Sequence, residues 1–187
     1  MIHEAHEDHE GGRTQPEQPY RALVIGFGNL DRADDGIAYY VINALRKRLG
    51  QKMLTEDHSG LEELGEELDS IFLGQLTPEL MEVLKDYQQV IFVDAHAYEN
   101  VDNLYCVPVI PDRASTTFTH HLTPALLLAF TKSLYHREPG GYLVSIRGYD
   151  FDFHRQLSAD TEACVEAAVE HIVQLMKARG FALHPFP

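Results

Sequence analysis

The sequence predicts an α/β fold in which a mixed, mostly parallel sheet of about five strands carries helices on both faces. Short apolar segments alternate along the 187-residue chain with longer segments whose apolar residues recur at the period of a helix. The run Val90-Ile91-Phe92-Val93 contains no polar residue, which is typical of a strand covered on both faces. The pairs Thr77-Pro78 and Thr123-Pro124 each place an N-capping threonine before a proline, which predicts two helix starts.

The first half of the chain predicts two strand-helix units. Residues 21–26 form a buried strand, and the following helix covers residues 36–49 and ends at a glycine. A second strand covers residues 70–73. The helix that begins at Thr77-Pro78 then runs to about residue 86.

The third and fourth predicted strands, residues 90–94 and 104–110, lie close together in the chain. Roughly nine residues separate them, whereas a parallel crossover needs about a dozen or more. We therefore expect these two strands to pair with each other in antiparallel orientation.

The remaining elements complete the order β-α-β-α-β-β-α-β-α. A helix runs from Thr123-Pro124 to about residue 135, and the last strand covers residues 142–146. The closing helix spans residues 158–179 and stops at Gly180, with acidic residues in its first turn.

The composition predicts one globular domain and argues against two kinds of partner. A formal net charge of −14 at pH 7 would repel nucleic acid and anionic membranes. Without a long apolar run, a signal-peptide pattern or more than two cysteines, we expect a cytoplasmic protein. Residues 1–19 form an acidic, histidine-containing tail that we expect to be disordered, and residues 20–187 form the single folded domain.

A glycine turn joins the first strand to the first helix. It reads Gly26-Phe27-Gly28-Asn29 and is followed by Asp34-Asp35-Gly36. Glycines at the carboxyl end of a strand permit a tight turn at the edge where open α/β sheets bind ligands. The first two glycines also match a dinucleotide fingerprint, but Asp31 occupies the position of its third glycine, where a carboxylate would meet the pyrophosphate. The sequence therefore argues against a dinucleotide site.

Acidic and imidazole side chains recur in the loops between the predicted elements. Asp34 and Asp35 follow the first strand, Asp94 ends the third, and His120-His121 precedes the helix at Thr123. In a doubly wound sheet these loops meet at one edge. Two carboxylates and an imidazole form a mixed oxygen and nitrogen site that suits a divalent ion such as Zn²⁺ or Ni²⁺.

Each of these residues also has a structural interpretation. Asp34 or Asp35 would cap the first helix, Asp94 would bind loop amides, and one histidine of the adjacent pair would face solvent. His96 lies close to Asp94 in the chain and is a further candidate. The residues alone leave both interpretations open.

Three motifs together resemble the hydrogenase maturation proteases, which remove the C-terminal extension of the nickel-iron hydrogenase large subunit. They are Gly26-Phe27-Gly28-Asn29 with Asp34-Asp35-Gly36, Phe92-Val93-Asp94-Ala95, and His120-His121-Leu122-Thr123-Pro124. The resemblance follows their order and spacing over residues 21–179.

The resemblance implies a three-layer αβα sandwich of the phosphorylase/hydrolase-like kind and an aspartic-type endopeptidase. It implies that Asp35, Asp94 and His120 contact the metal and that Asp35 and Asp94 are catalytic. Asp34, as the neighbour of Asp35, would either tune or orient it. The metal would be nickel carried by the substrate, the hydrogenase large-subunit precursor, with zinc or cadmium as possible surrogates in the purified protein. No permanent cofactor is implied.

Two other functions stay open at this stage. The chain would be a non-catalytic checkpoint or chaperone that binds the metallated precursor, or a hydrolase of small substrates with a resident metal. Residues 74–78 read Gly-Gln-Leu-Thr-Pro, whereas the corresponding segment of the family is often glycine-rich. This departure from the pattern of the family keeps both alternative functions open.

Overall fold

A computed structural model of the protein describes residues 20–112 and 122–181. The predicted tail, residues 1–19, lies outside the described residues, and so do His120 and His121. The division into a tail and one domain therefore stays a prediction.

The centre of the molecule is a five-stranded sheet with the order β2-β1-β3-β5-β4. Strands β1, β2, β3 and β5 are parallel to one another, and β4 is antiparallel to β5. The strands are β1 (Ala22–Phe27), β2 (Leu68–Leu73), β3 (Gln89–His96), β4 (Leu104–Val109) and β5 (Gly140–Arg147). The predicted mixed, mostly parallel sheet is thus confirmed.

The predicted pairing of the third and fourth strands is wrong. Strand β5 lies between β3 and β4, so β4 pairs with β5 instead. Residues 97–103 can span the gap, because an extended chain covers about 3.3 Å per residue and skipping one strand requires only about 10 Å. Pro108 cannot donate a backbone hydrogen bond, which suits β4 to the edge of the sheet.

Helices cover both faces of the sheet. Helices α1 and α5 pack on one face and α2 and α3 on the other, which gives three layers. Their bounds are α1 (Ile37–Arg48), α2 (Leu80–Leu84), α3 (Pro124–Tyr135), α4 (Ala159–Glu162) and α5 (Val165–Ala178), with 3₁₀ turns at Ala33–Gly36 and Leu61–Glu63. No helix in the described ranges is long and apolar enough to cross a membrane.

Strand β3 is buried on both faces, as its apolar run predicts. Ile91 and Val93 pack with the α1 and α5 layer, whereas Val90 and Phe92 pack with the α2 and α3 layer. Side chains alternate along a strand, so Asp94 lies on the same face as Phe92, near the carboxyl end of β3.

The two threonine-proline pairs have different outcomes. Thr123 caps α3 as predicted, because its Oγ1 accepts a hydrogen bond from the Leu126 amide at 3.3 Å. Thr77 starts only a turn, in which the Leu80 amide donates to the Thr77 carbonyl at 3.2 Å, and α2 begins at Leu80. The closing helix is divided by residues 163–164 into α4 and α5.

Candidate active site

The glycine turn after β1 brings Asp35 to the carboxyl edge of the sheet. The start of the turn is still hydrogen-bonded to β2, since the Gly28 amide donates to the Leu73 carbonyl at 3.1 Å. The Asn29 amide donates to Oδ2 of Asp35 at 2.9 Å. Neither Asp34 nor Asp35 caps α1, whose N-cap residue is Gly36 with no side-chain hydrogen bond. The helix-capping interpretation is therefore wrong for both carboxylates.

The carboxylate of Asp34 points into the protein and is fully buried. Its Oδ2 accepts hydrogen bonds from the amides of Tyr149 and Asp150 at 2.8 and 2.9 Å and from the hydroxyls of Ser158 and Thr161 at 2.7 and 2.9 Å. Its Oδ1 accepts the amide of Ser158 at 2.7 Å. Asp34 thus joins the turn before α1 to the loop between β5 and α4.

These hydrogen bonds decide the charge state of Asp34. Burial by itself would raise the pKa of the carboxyl group, but the donors from Ser158, Tyr149 and Asp150 together outweigh it and lower the pKa below its usual value. Asp34 is therefore ionised at neutral pH and acts as an acceptor.

Asp94 lies beside the same turn. Val93 pairs in register with Gly26, which places Asp94 level with Phe27 at the end of β1. Its Oδ1 accepts the Ala95 amide at 2.8 Å. Burial, with a smaller contribution from the negative charge of Asp35, raises the pKa of Asp94 to about 7, even though the Ala95 amide opposes the shift.

Asp35 and Asp94 face one cleft of about 480 Å³. The cleft is also lined by Phe27, Gly28, Leu122 and residues 74–78. Residues 74–78, at which the sequence departs from the glycine-rich pattern of the family, therefore form a wall of this cleft. Of the predicted site residues, the structure brings together Asp35 and Asp94.

A second chamber of about 600 Å³ continues from this cleft and shares Gly28, Gly74 and Gln75 with it. Its outer wall, residues 55–59, is anchored at both ends. The side chain of Asn43 exchanges two hydrogen bonds with the backbone of Leu54, and the Ser59 carbonyl accepts the Phe72 amide at 2.9 Å. The two chambers together offer an extended path along the carboxyl edge of the sheet.

The third predicted ligand, His120, cannot be placed, because it lies in residues 113–121, outside the described part of the chain. Leu122, the first described residue after it, lines the cleft. Within residues 20–112 and 122–181, no three His, Cys, Asp or Glu side chains form a group that could hold a metal ion. The assignment of Asp35, Asp94 and His120 as ligands stays a prediction.

His96 is packed into the protein and does not line the cleft. Its Nδ1 lies 2.9 Å from the Ser145 hydroxyl, and its ring packs against Tyr98 and Tyr105. Burial and the positive charge of Arg147 lower the pKa of the imidazole, so it is neutral at physiological pH. These contacts favour a structural role.

The two free cysteines, Cys106 and Cys164, do not offer a nucleophile. Both are partly buried, and burial raises the pKa of each thiol. A raised pKa reduces the thiolate that nucleophilic attack requires. Of the described cleft residues, the two carboxylates remain as the groups suited to acid-base chemistry.

Comparison with solved structures places this arrangement in a known fold. The hydrogenase-maturating endopeptidase HybD from E. coli matches with 21% identity over 86% of this chain and 94% of its own, with a TM-score of 0.64. The [NiFe] hydrogenase maturation protease HycI from Thermococcus kodakarensis matches with 16% identity over 84% and 92%, with a TM-score of 0.60. The hydrogenase 2 maturation peptidase from a Thaumarchaeota archaeon matches with 23% identity over 84% and 98%, with a TM-score of 0.57.

The chain has the fold of the hydrogenase maturation endopeptidases. This confirms the three-layer fold that the sequence motifs imply. No protein-family profile and no curated protein matches the sequence. The fold and the motifs are thus the link to these enzymes.

Proposed function

We propose that the chain is an endopeptidase that removes the C-terminal extension of a nickel-loaded hydrogenase large-subunit precursor. The observation that carries this proposal is the pair Asp35 and Asp94, which face one cleft at the carboxyl edge of a sheet with the fold of these enzymes. The residues of a site, rather than the fold, determine what a protein does. Substitution of Asp35 and Asp94 is therefore the direct test of this proposal.

Nickel in this proposal belongs to the substrate. Two carboxylate oxygens and one imidazole nitrogen are ligands that a borderline divalent ion accepts. Asp35 and Asp94 supply the carboxylates, and His120 supplies the imidazole. Recognition of the bound ion would restrict cleavage to precursors that already carry it.

Cleavage of the peptide bond requires an activated water molecule. The water is activated either by the nickel ion or by a carboxylate of the cleft, and both routes use groups that the proposal already contains. In the metal-free chain the pKa of Asp94 is about 7, which suits this carboxylate, on the route that does not use it as a nickel ligand, to accept a proton from water and return it to the leaving amine at neutral pH. The cleft and its second chamber provide room for an extended peptide on one side of these groups.

The test is incubation of the full chain with a nickel-loaded or a nickel-free hydrogenase large-subunit precursor, followed by intact-mass measurement. We expect loss of a C-terminal peptide from the nickel-loaded precursor alone. Asp35→Asn and Asp94→Asn should slow the cleavage by about 100-fold or more, because each removes a general base or a ligand. Asp102→Asn, which removes an exposed carboxylate away from the cleft, is the matched control.

Other outcomes identify other functions. A stable complex with the nickel-loaded precursor and no change in mass would indicate a non-catalytic checkpoint or chaperone. Tightly bound zinc in the purified chain, with chelator-sensitive hydrolysis of small substrates, would indicate a resident-metal hydrolase. Equal cleavage of the nickel-free precursor would overturn recognition of the metal.

A further inference from the structure

The buried carboxylate of Asp34 takes no part in the proposed chemistry, yet three backbone amides and two hydroxyl groups surround it within hydrogen-bond distance. Among the described residues, no lysine or arginine forms an ion pair with it. Its charge is therefore balanced by hydrogen bonds from neutral groups. Such an arrangement depends on geometry, because every donor must point at one of two oxygens.

The backbone around Asp34 is held by the same loop, residues 148–158. The Ala33 amide donates to the His154 carbonyl at 2.6 Å, and the Asp34 amide donates to the Asp150 carbonyl at 3.0 Å. Ala33 has a φ of 43°, which is unfavourable for a residue with a side chain. The loop thus holds the turn in a conformation that it would not adopt alone.

We propose that Asp34 is a positioning residue that fixes Asp35 opposite Asp94 by attaching the turn at Ala33–Gly36 to residues 148–158. The proposal rests on the proposed function, because Asp35 is the group whose position matters there. Asp35 is the next residue in the same turn, so a displacement of Asp34 moves it directly. The loop itself contributes no residue to the cleft, and its effect passes through Asp34.

An asparagine cannot replace Asp34 without a conflict. If its NH₂ group takes the place of Oδ2, it faces the Tyr149 and Asp150 amides, and if it takes the place of Oδ1, it faces the Ser158 amide. At least one donor is then opposed by another donor. Asp34→Asn therefore perturbs the junction while preserving the shape of the side chain.

Asp69 provides a matched control for the loss of stability. It is also a buried carboxylate, and it accepts hydrogen bonds from the side chains of Arg21 and Tyr87 and from two backbone amides. It pairs in register with Leu23, near the amino ends of the parallel strands and thus at the edge opposite the cleft. Asp69→Asn should weaken the fold without moving Asp35.

The experiment compares Asp34→Asn with Asp69→Asn at a temperature at which both variants are folded. The amide proton of Asn29 reports the position of Asp35 by NMR, because this amide donates to Asp35 Oδ2. We expect Asp34→Asn to shift this signal in the same direction as the reference variant Asp35→Ala, and Asp69→Asn to leave it unchanged. Cleavage of the nickel-loaded precursor should fall by about tenfold to 100-fold in Asp34→Asn and remain within about twofold in Asp69→Asn.

Two further variants separate positioning from stability. Thr161→Val removes the hydroxyl that lies 2.9 Å from both Asp34 Oδ2 and the Arg147 carbonyl and should slow cleavage, whereas Thr161→Ser retains the hydroxyl and should restore it. Asp34→Asn combined with Asp35→Asn should be no slower than Asp35→Asn alone, because Asp34 acts only through Asp35. An unshifted Asn29 signal in Asp34→Asn, or additive losses in the double variant, would overturn the proposal. If the wild-type chain cleaves no precursor, the proposed function fails and the Asn29 signal still decides the positioning role.

Discussion

Gly28 and Asp35 lie in direct backbone contact. A Cβ atom added to Gly28 would be 1.9 Å from the carbonyl oxygen of Asp35, and Gly28 has a φ of 147°, which residues with side chains rarely adopt. Glycine is therefore required at position 28, because the backbone of Asp35 packs directly against it. This contact explains the glycine at position 28, whereas a Cβ atom on Gly26 would instead meet Ile42 and Ala38 of α1.

The contact predicts a large effect of Gly28→Ala. The methyl group must displace backbone and the residue must keep an unfavourable φ, so we expect a loss of about 2 kcal/mol or more in the free energy of unfolding. Urea unfolding measures this loss. Gly74→Ala is the control, because its Cβ would meet no described atom within 4 Å, and its effect should stay within about 0.5 kcal/mol. Equal effects of the two substitutions would contradict the packing argument.

The pKa of Asp94 predicts how stability depends on pH in chelator-treated protein. The folded state holds this proton up to a pKa of about 7, whereas the unfolded chain releases it near the ordinary aspartate pKa of 3.8. Between these two pKa values the folded state binds more protons than the unfolded state, so the free energy of unfolding falls as the pH rises. Above pH 7 both states are deprotonated at Asp94, and this group lowers the free energy of unfolding no further. One pKa unit corresponds to about 1.4 kcal/mol.

Asp94→Asn removes the free-energy cost of ionising a buried carboxyl group and should therefore stabilise the protein at high pH. We expect a gain of about 1–3 kcal/mol at pH 8, which shrinks towards pH 4, because the penalty accumulates only as the pH rises from 3.8 towards 7. Urea unfolding at pH 4, 6 and 8 measures it against Asp102→Asn. A gain that does not change with pH would show that Asp94 is not the titrating group.

The sequence predicts the fold well where a local pattern has a single structural solution. The apolar run of β3 and the capped start of α3 lie where the pattern places them. The partner of β4 could not be predicted in this way. A short connection shows only that the chain reverses direction, and whether β5 inserts between the two strands depends on contacts made later in the chain.

The residue pattern alone does not distinguish the two adjacent carboxylates of the candidate site, and only the family resemblance assigns the metal contact to Asp35. Asp34 and Asp35 are equivalent in the sequence, yet one carboxylate is buried and the other faces the cleft. The difference arises from Ser158 and Thr161, which are distant in the chain and carry no recognisable motif. A buried acceptor with long-range donors is visible only in three dimensions.

The two threonine-proline pairs predict unequal effects on stability. Thr123→Ala removes the hydroxyl that accepts the Leu126 amide and should cost about 1 kcal/mol, whereas Thr123→Ser should cost less than about 0.5 kcal/mol. Thr77→Ala is the matched control, because α2 has no side-chain cap, and it should also remain within about 0.5 kcal/mol. Thermal or urea unfolding tests the series. A cost for Thr77→Ala as large as that for Thr123→Ala would contradict the assigned caps.

The adjacent histidines predict a difference in metal binding. His120 and His121 directly precede Leu122 in the sequence, and Leu122 lines the cleft. The family resemblance assigns His120 as the ligand. We expect His120→Ala to weaken binding of cadmium or zinc to the purified chain by at least about tenfold and to slow cleavage of the nickel-loaded precursor. His121→Ala is the matched control, titrated in the same way by calorimetry. Loss of binding in His121→Ala alone would transfer the ligand role to His121, and loss in neither variant would remove histidine from the site.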